Sequence, residues 1–476
     1  MAFFKYLITL ALTVSLSGFA KGQSEPYPKS KQQNMEWFLN AKFGLFVHWG
    51  LYSQAAGLWK GHQPKGGEHF MLYERIPVKE YAQRANDFNP TGFNAEQWVN
   101  TLKQAGMRYI VFTTKHHEGF AMYNSQCSDY NIVTRTPFKR DPLKELAAAC
   151  KKADIKLGLY YSLGRDWEDP DVPTCYPVKA GRSNTWDFPD EDGKVLSRYI
   201  ERKVKPQLKE LLTGYGEIAM LWFDTPELIT REQSEDLINL IHSLQPQCII
   251  NNRVGNDSVG KYISDYNILE QELSSETRMK PWEACITMGK NWGYNRFDTI
   301  YKSPEMIIRY LSDVVSKGGN LLLNVGPTDK GVFPKESFTV FNGLHEWLKI
   351  NGEAIYDTHP WRISGEVLNT VYKDMPEATT NNAMKDAIHD ATPKGLIPDV
   401  RYTVKGNYLY VIARSISQPD FILKAIRPDD DIKSIELLGQ KAKVAWSFSR
   451  DGMQINIREL QKQQVPIYVL KIKTKS

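Results

Sequence analysis

Short apolar runs recur along most of the chain, separated by stretches of helical period. The runs are residues 43–48 (FGLFVH), 109–114 (YIVFTT), 156–162 (KLGLYYS), 218–224 (IAMLWFD), 248–252 (CIINN), 262–264 (YIS), around 285–287 (CIT) and 320–325 (NLLLNV). Most are nearly continuous in hydrophobicity, the pattern of strands buried on both faces. Between them, residues 95–105, 142–153, 191–212, 232–244 and 303–316 place apolar side chains on one helical face. Strand and helix alternate from residue 30 to about 345, which predicts a (β/α)8 barrel. The rival is a doubly wound sheet, but no glycine-rich phosphate turn follows the first strand.

The pattern changes after residue 350. Residues 367–372, 399–404, 408–413 and 467–472 alternate apolar and polar positions like half-buried strands. Lys405-Gly406-Asn407 reads as a hairpin turn, and residues 375–395 as a loop. The expected division is a (β/α)8 barrel over 23–350 and an antiparallel β-sandwich over 351–476.

The first 22 residues read as a cleavable signal peptide: Lys5, an apolar stretch over 7–16, then Gly18-Phe19-Ala20. The apolar part is too short to span a membrane, and no other stretch approaches that length. The expected location is periplasmic or secreted. The five cysteines, Cys127, Cys150, Cys175, Cys248 and Cys285, are odd in number and include no C-x-x-C pair, which argues against zinc-ribbon and thioredoxin-like chemistry. A net charge of +5, with basic residues scattered, leaves no nucleic-acid footprint. Twelve tryptophans and 24 tyrosines suffice to line a sugar or nucleotide pocket, or simply to fill a large core.

A barrel carries its chemistry at the C-terminal ends of its strands. Those ends read His48-Trp49-Gly50, Lys115-His116-His117-Glu118, Tyr160-Tyr161-Ser162, Trp222-Phe223-Asp224 and Asn252-Arg253. A lone His48 is equally well a structural group. Asp224, followed by Thr225-Pro226-Glu227, is equally well a helix N-cap. Adjacent strand residues point to opposite faces, so His116 and His117 share the barrel axis only if the strand has ended before them. No H-E-x-x-H or H-x-H spacing is present, which weakens a metal site. A fixed carboxylate, histidines, tryptophans and an arginine on one rim suit glycoside hydrolysis, which needs two carboxyl groups flanking the bond.

Six ordered segments resemble the α-L-fucosidases of glycoside hydrolase family 29: residues 42–50 (KFGLFVHWG), 114–120 (TKHHEGF), 159–162 (LYYS), 221–224 (LWFD), 282–285 (WEAC) with 292–294 (WGY), and 319–327 (GNLLLNVGP). The resemblance implies a retaining mechanism, with Asp224 matching the nucleophile. It implies that His48, Glu68, His116, His117, Tyr160, Trp222, Arg253 and Trp292 contact fucose, with no metal or other cofactor required. The partner it implies is a fucosylated oligosaccharide or glycoconjugate. For the acid/base it leaves two candidates. Glu270 lies in Asp265-Tyr266-Asn267-Ile268-Leu269-Glu270, which resembles a family loop D-[FY]-x-x-x-E. Glu283 lies in the W-E-x-C segment. Glu270 is the first choice, because a loop position suits a residue that meets a variable leaving group, whereas Glu283 abuts a strand and could be a structural carboxylate paired with a buried base. Cys285 shares that segment and reads as a buried thiol or a participant.

Two positions depart from the common family pattern: His69 stands where the family often has a tryptophan after Glu68, and Thr225-Pro226 where a glycine often follows Asp224. Both are expected to act on the leaving-group side, away from the reacting groups. The rival functions are a non-catalytic carbohydrate-binding protein on the same fold and a metal-dependent hydrolase using the histidine pair.

Overall fold

The computed structural model describes residues 28–173, 183–368, 399–414, 420–440, 444–456 and 467–475. The expected signal peptide, the loop at 375–395, most of the strand expected at 367–372 and Cys175 lie outside the described residues.

Eight parallel strands form one curled sheet: β1 Phe43–Val47, β2 Tyr109–Lys115, β3 Lys156–Ser162, β4 Met220–Asp224, β5 Ile249–Ile250, β6 Asn267–Glu270, β7 Trp282–Thr287 and β8 Asn320–Val325. Their order is β5-β4-β3-β2-β1-β8-β7-β6. The ends meet at a single parallel bridge between Asn251 and Tyr266. At this seam the Asp265 carboxylate accepts from the Ile250 amide (2.8 Å), and Asp265 N–H donates to the Ile250 carbonyl (2.9 Å). Lys31 pairs with the same carboxylate at 2.8 Å. A side chain therefore does what a strand backbone would do in a regular ladder.

Period-2 alternation sorts the strand side chains into two layers. Phe46, Tyr109, Tyr160, Met220, Trp222, Cys285 and Leu322 fill the barrel interior, over Phe38. Leu45, Ile110, Leu159, Leu221, Ala284 and Leu323 pack outward beneath the helices. Helix starts are locally encoded. Asn94 caps Ala95–Gln104, Asp141 caps Pro142–Ala153, Ser303 caps Pro304–Ser316, and Thr230 with Gln233 forms a capping box on Arg231–Leu244. Asp224 is thus no N-cap.

Three expectations need correction. Residues 262–264 are not a strand: a helix runs Asp257–Ile263, and β6 follows at Asn267–Glu270. Three apolar residues suit either state, and Asp265 displaces the strand start past Tyr266. Helix 191–212 begins instead at Leu196 and continues through a π-turn, Ile200–Val204, to Gly214. No helix occupies residues 271–281 between β6 and β7.

The C-terminal region is a sandwich of two antiparallel sheets: β9 His359–Glu366, β10 Val400–Lys405, β11 Tyr408–Arg414, β13 Ile432–Leu437 and β16 Ile467–Thr474 in one, β12 Asp420–Leu423, β14 Ala445–Ser449 and β15 Gly452–Asn456 in the other. Tyr402, Val411 and Leu470 from the first sheet share a core with Leu423, Met453 and Ile455 from the second. Lys405 pairs with Tyr408 across the expected hairpin, whose Gly406 takes φ +54°. The sandwich docks on the barrel helix Pro304–Ser316 through Arg401, ion-paired with Asp313 inside the interface. Among the described residues no helix is long and apolar enough to cross a membrane. Cys150, Cys248 and Cys285 are buried free thiols, and Cys127 is an exposed one.

Candidate active site

His48 follows β1 two residues after Phe46 and therefore keeps its inward direction. Asn324 on β8 donates from Nδ2 to the Trp292 carbonyl (2.8 Å), which turns its Oδ1 toward His48 Nδ1 (2.7 Å). Nδ1 must then carry the proton, leaving Nε2 as an acceptor. Burial, followed by the neighbouring His116, lowers His48 to about 3 against the pull of Asn324 and Asp224.

The opening of β2 explains the histidine pair. Pairing with β3 shifts register between Thr113 and Lys115, a bulge, and the strand ends at Lys115. Both histidines lie past the end, with ring centroids 4.1 Å apart. Ser162 donates its hydroxyl to the Arg165 carbonyl (2.6 Å), so it accepts from His117 Nδ1–H (2.6 Å). His117 Nε2 is thereby a bare acceptor, 3.7 Å from Asp224 Oδ2. His116 stacks on Tyr160, with centroids 5.5 Å apart, and turns Nδ1 toward Glu118 Oε2 at 3.4 Å. Burial holds His116 at about 3 and His117 well below its ordinary range. All three imidazoles are neutral at physiological pH.

The rest of the KHHEGF segment supports them. Lys115 points away from the pocket into a buried ion pair with Asp166 (2.8 Å), and also donates to the Tyr199 hydroxyl. Gly119 has φ +78°, and a Cβ there would fall 2.4 Å from Asp166 Oδ1. Glu118 was not singled out from the sequence. Its buried carboxyl, raised to about 8 chiefly by burial, fills the space beside Gly50, where a Cβ would come within 2.6 Å of Oε1. The sequence held the clue, because Glu118 is the one carboxyl inside that segment.

Asp224 ends β4 on the inward face, two residues beyond Trp222. Arg253 Nη1 (2.6 Å) and the Thr225 amide (2.8 Å) donate to Oδ1, and the Tyr160 hydroxyl donates to Oδ2 (2.8 Å). Burial alone would raise this carboxyl. Arg253, the Tyr160 hydroxyl, Arg165 and His116 overcome it and hold it at about 2, so Asp224 is ionised. The other end of the same guanidinium donates, through Nη2, to Glu270. Arg253 also lies over the Trp222 ring, 5.2 Å from its centroid. Glu270 is the last residue of β6 and not a loop residue as expected. Its side chain is 39% exposed, against 14% for Asp224.

Glu283 is placed differently. It lies inside β7, fully buried, and accepts from the Tyr109 hydroxyl (2.6 Å) and Trp222 Nε1 (2.9 Å). The base expected beside it is replaced by these two neutral donors. Burial, partly offset by both donors, raises it to about 7. Trp222 stands between it and the rim, so Glu283 props the floor of the pocket. Cys285 lies two residues along on the same face, in the interior layer with Trp222 and Trp292, and burial raises its thiol well above the ordinary value. Glu68, in a 3-10 turn Gly67–His69, accepts from the Gly293 amide (3.2 Å) and is raised by burial to about 7. Trp292 closes the wall, 5.0 Å from the His48 ring.

The two departures sit closer to the chemistry than expected. The His69 ring is 5.6 Å from that of His116 and 5.0 Å from that of His117. Thr225 donates its own amide to Asp224 and adopts φ +47°. A β-branched residue there is strained by roughly 1–2 kcal/mol, which glycine would not incur. Part of the relief is offset by the entropy glycine regains on unfolding. Thr225→Gly should therefore raise stability by about 0.5 kcal/mol with turnover retained, as read by the thermal midpoint; a lowered midpoint would show that the threonine side chain contributes more than the strain costs.

Ten of the residues singled out in the sequence thus converge on one pocket, with Glu283 and Cys285 beneath its floor. The α-L-fucosidase family profile matches residues 13–353. The plasma α-L-fucosidase of Rattus norvegicus is 30% identical over 457 residues, 90% of this chain and 88% of its own length. Two solved structures are similar throughout. The α-L-fucosidase of Vibrio sp. strain EJY3 has a TM-score of 0.79 at 29% identity, covering 94% of this chain and 73% of that one. The α-L-fucosidase isoenzyme 1 from Paenibacillus thiaminolyticus has a TM-score of 0.77 at 32% identity, covering 94% and 100%. With the family profile spanning the whole barrel and the relatives continuing through the sandwich, the chain belongs to the α-L-fucosidase family, glycoside hydrolase family 29.

Proposed function

We propose that the chain is an exported, exo-acting α-L-fucosidase that hydrolyses terminal α-L-fucosyl residues with retention of configuration. The observation that carries this is the pair of carboxylates on one guanidinium. Asp224 is buried and ionised, and Glu270 faces solvent on the other end of Arg253. A retaining enzyme requires one carboxylate to attack the anomeric carbon and one to serve the departing oxygen.

In the first step Asp224 attacks and forms a glycosyl ester, while Glu270, entering in its protonated form, gives that proton to the leaving oxygen and becomes a carboxylate. In the second Glu270 takes a proton from water, which displaces Asp224 and returns the carboxylate. The acceptor atoms His48 Nε2 and His117 Nε2 suit sugar hydroxyl donors, and Trp222 and Trp292 supply apolar faces. A pocket with a single sugar-sized set of such groups suits a terminal residue. A purely binding protein would have no use for two carboxylates sharing one guanidinium at the reacting position.

Export is proposed from the order of charge, apolar run and small residues over 1–22. The test of function is incubation with α1,2-, α1,3-, α1,4- and α1,6-fucosylated oligosaccharides, with the first-formed anomer followed by NMR. The expected first product is α-L-fucose. First-formed β-L-fucose would overturn the retaining mechanism, and no release from any member of the panel would overturn the activity.

A further inference from the structure

His69, His116 and His117 each offer a ring nitrogen, and these atoms lie within 4.8 Å of one another. One hydrogen bond and one close approach already described orient two of them. His117 spends Nδ1–H on Ser162, so Nε2 is a lone pair without a proton. His116 turns Nδ1 toward the Glu118 carboxyl, which leaves Nε2 directed away from it. A carboxylate stands at the cluster's edge, since His117 Nε2 is 3.7 Å from Asp224 Oδ2. Glu68 Oε1, buried and without a hydrogen-bond partner, is 3.8 Å from His69 Nε2. The nearby cation Arg165 is already paired with Glu227.

Three imidazoles with a carboxylate at the fourth side form the ligand set that zinc and similar d-block ions take in tetrahedral coordination. His117 is oriented through its second nitrogen by the Ser162 hydroxyl, a support that favours metal binding, and His116 turns its second nitrogen toward a buried carboxyl. Spacing in the sequence hides this set, because His69 comes from a short turn far from the other two. A tryptophan at position 69 would leave only two imidazoles.

We propose that His69, His116 and His117 bind one divalent d-block cation of the zinc or cobalt class, which occupies the sugar pocket and inhibits the enzyme. The cation is a competitor and not a cofactor: Asp224 and His117 cannot serve the sugar and the ion together. The competition rests on the fucoside reading of the pocket given above; the binding of the ion does not.

The experiment titrates Co2+ into the full chain and follows visible d–d absorption. One Co2+ per chain, with the strong absorption of tetrahedral N/O coordination, is expected. Zn2+ should displace it, inhibit competitively toward the fucoside, and be reversed by a chelator, with chelator alone leaving activity intact. His69→Trp should weaken Co2+ binding at least about tenfold, as loss of a ligand costs no less than loss of a supporting group. His69→Gln provides the same comparison should the larger side chain disturb folding. Absence of stoichiometric Co2+ binding by the wild-type chain, or unchanged affinity in the His69 variants, would overturn the proposal. Excess L-fucose should displace Co2+. If the ion binds through His69 but L-fucose leaves it in place, the metal site stands and the sugar assignment of this pocket falls.

Discussion

Replacing Asp224 with asparagine is expected to lower fucoside turnover by about four orders of magnitude while leaving the chain folded. The change is nearly isosteric. The amide oxygen can still accept from the Tyr160 hydroxyl or from Arg253, and Arg253 keeps Glu270 as its counter-charge. What is lost is the ability to form the glycosyl ester. The Tyr160 hydroxyl, Arg253 and the Thr225 amide would then surround a group that cannot attack. Asp224→Ala opens space at the same face, so azide should enter there and yield β-L-fucosyl azide, the inverted product. Near-normal turnover in Asp224→Asn would sink both the nucleophile assignment and the covalent mechanism.

The second large effect concerns Glu270. Glu270→Ala should slow hydrolysis of natural glycosides, whose leaving groups need a proton, by roughly 10²–10⁴-fold. An activated aryl fucoside should suffer far less in the first step. Added azide should rescue the aryl substrate and give α-L-fucosyl azide, because it attacks an intact glycosyl-enzyme. The two azide products, β from Asp224→Ala and α from Glu270→Ala, separate the two roles by stereochemistry alone.

Glu283 supplies the contrast. Its removal strands the Tyr109 hydroxyl and Trp222 Nε1 inside the barrel, which costs about 1–3 kcal/mol for each unsatisfied group. Glu283→Ala should therefore lower the thermal midpoint and blunt turnover on every substrate alike. If it instead shows leaving-group dependence and azide rescue while Glu270→Ala shows neither, the acid/base is Glu283.

Glu270, expected in a loop, ends β6 and is held by Arg253. Its suitability comes from facing solvent beside a fixed guanidinium. Glu283 is the second candidate, with a structural carboxylate beside a buried base as its alternative reading. It is buried, but its partners are a phenol and an indole, which hold it under the pocket floor.

Several features were determined by the sequence alone. Apolar runs such as 109–114 and 320–325 read as strands buried on both faces, and their alternation with helical stretches pointed to the barrel. Period 2 also placed Met220, Trp222 and Asp224 on one inward line, because side-chain direction in a strand follows from counting. The hairpin at Lys405-Gly406-Asn407 was legible for the same local reason: glycine supplies a positive φ at no cost.

Other features were decided only when distant residues met. Whether His116 and His117 share the pocket depends on where β2 stops, and the bulge before Lys115 is set by pairing with β3, not by the residues themselves. The position of β6 depends on Asp265 replacing backbone at the barrel seam, which no run of three apolar residues reveals. His69 joins the histidine pair because a short turn folds back over the rim. Which glutamate meets water follows from Trp222 covering one and Arg253 holding the other. Periodicity carries the direction of each side chain relative to its own strand. What that side chain finds at its tip belongs to the packing of segments far apart in the chain.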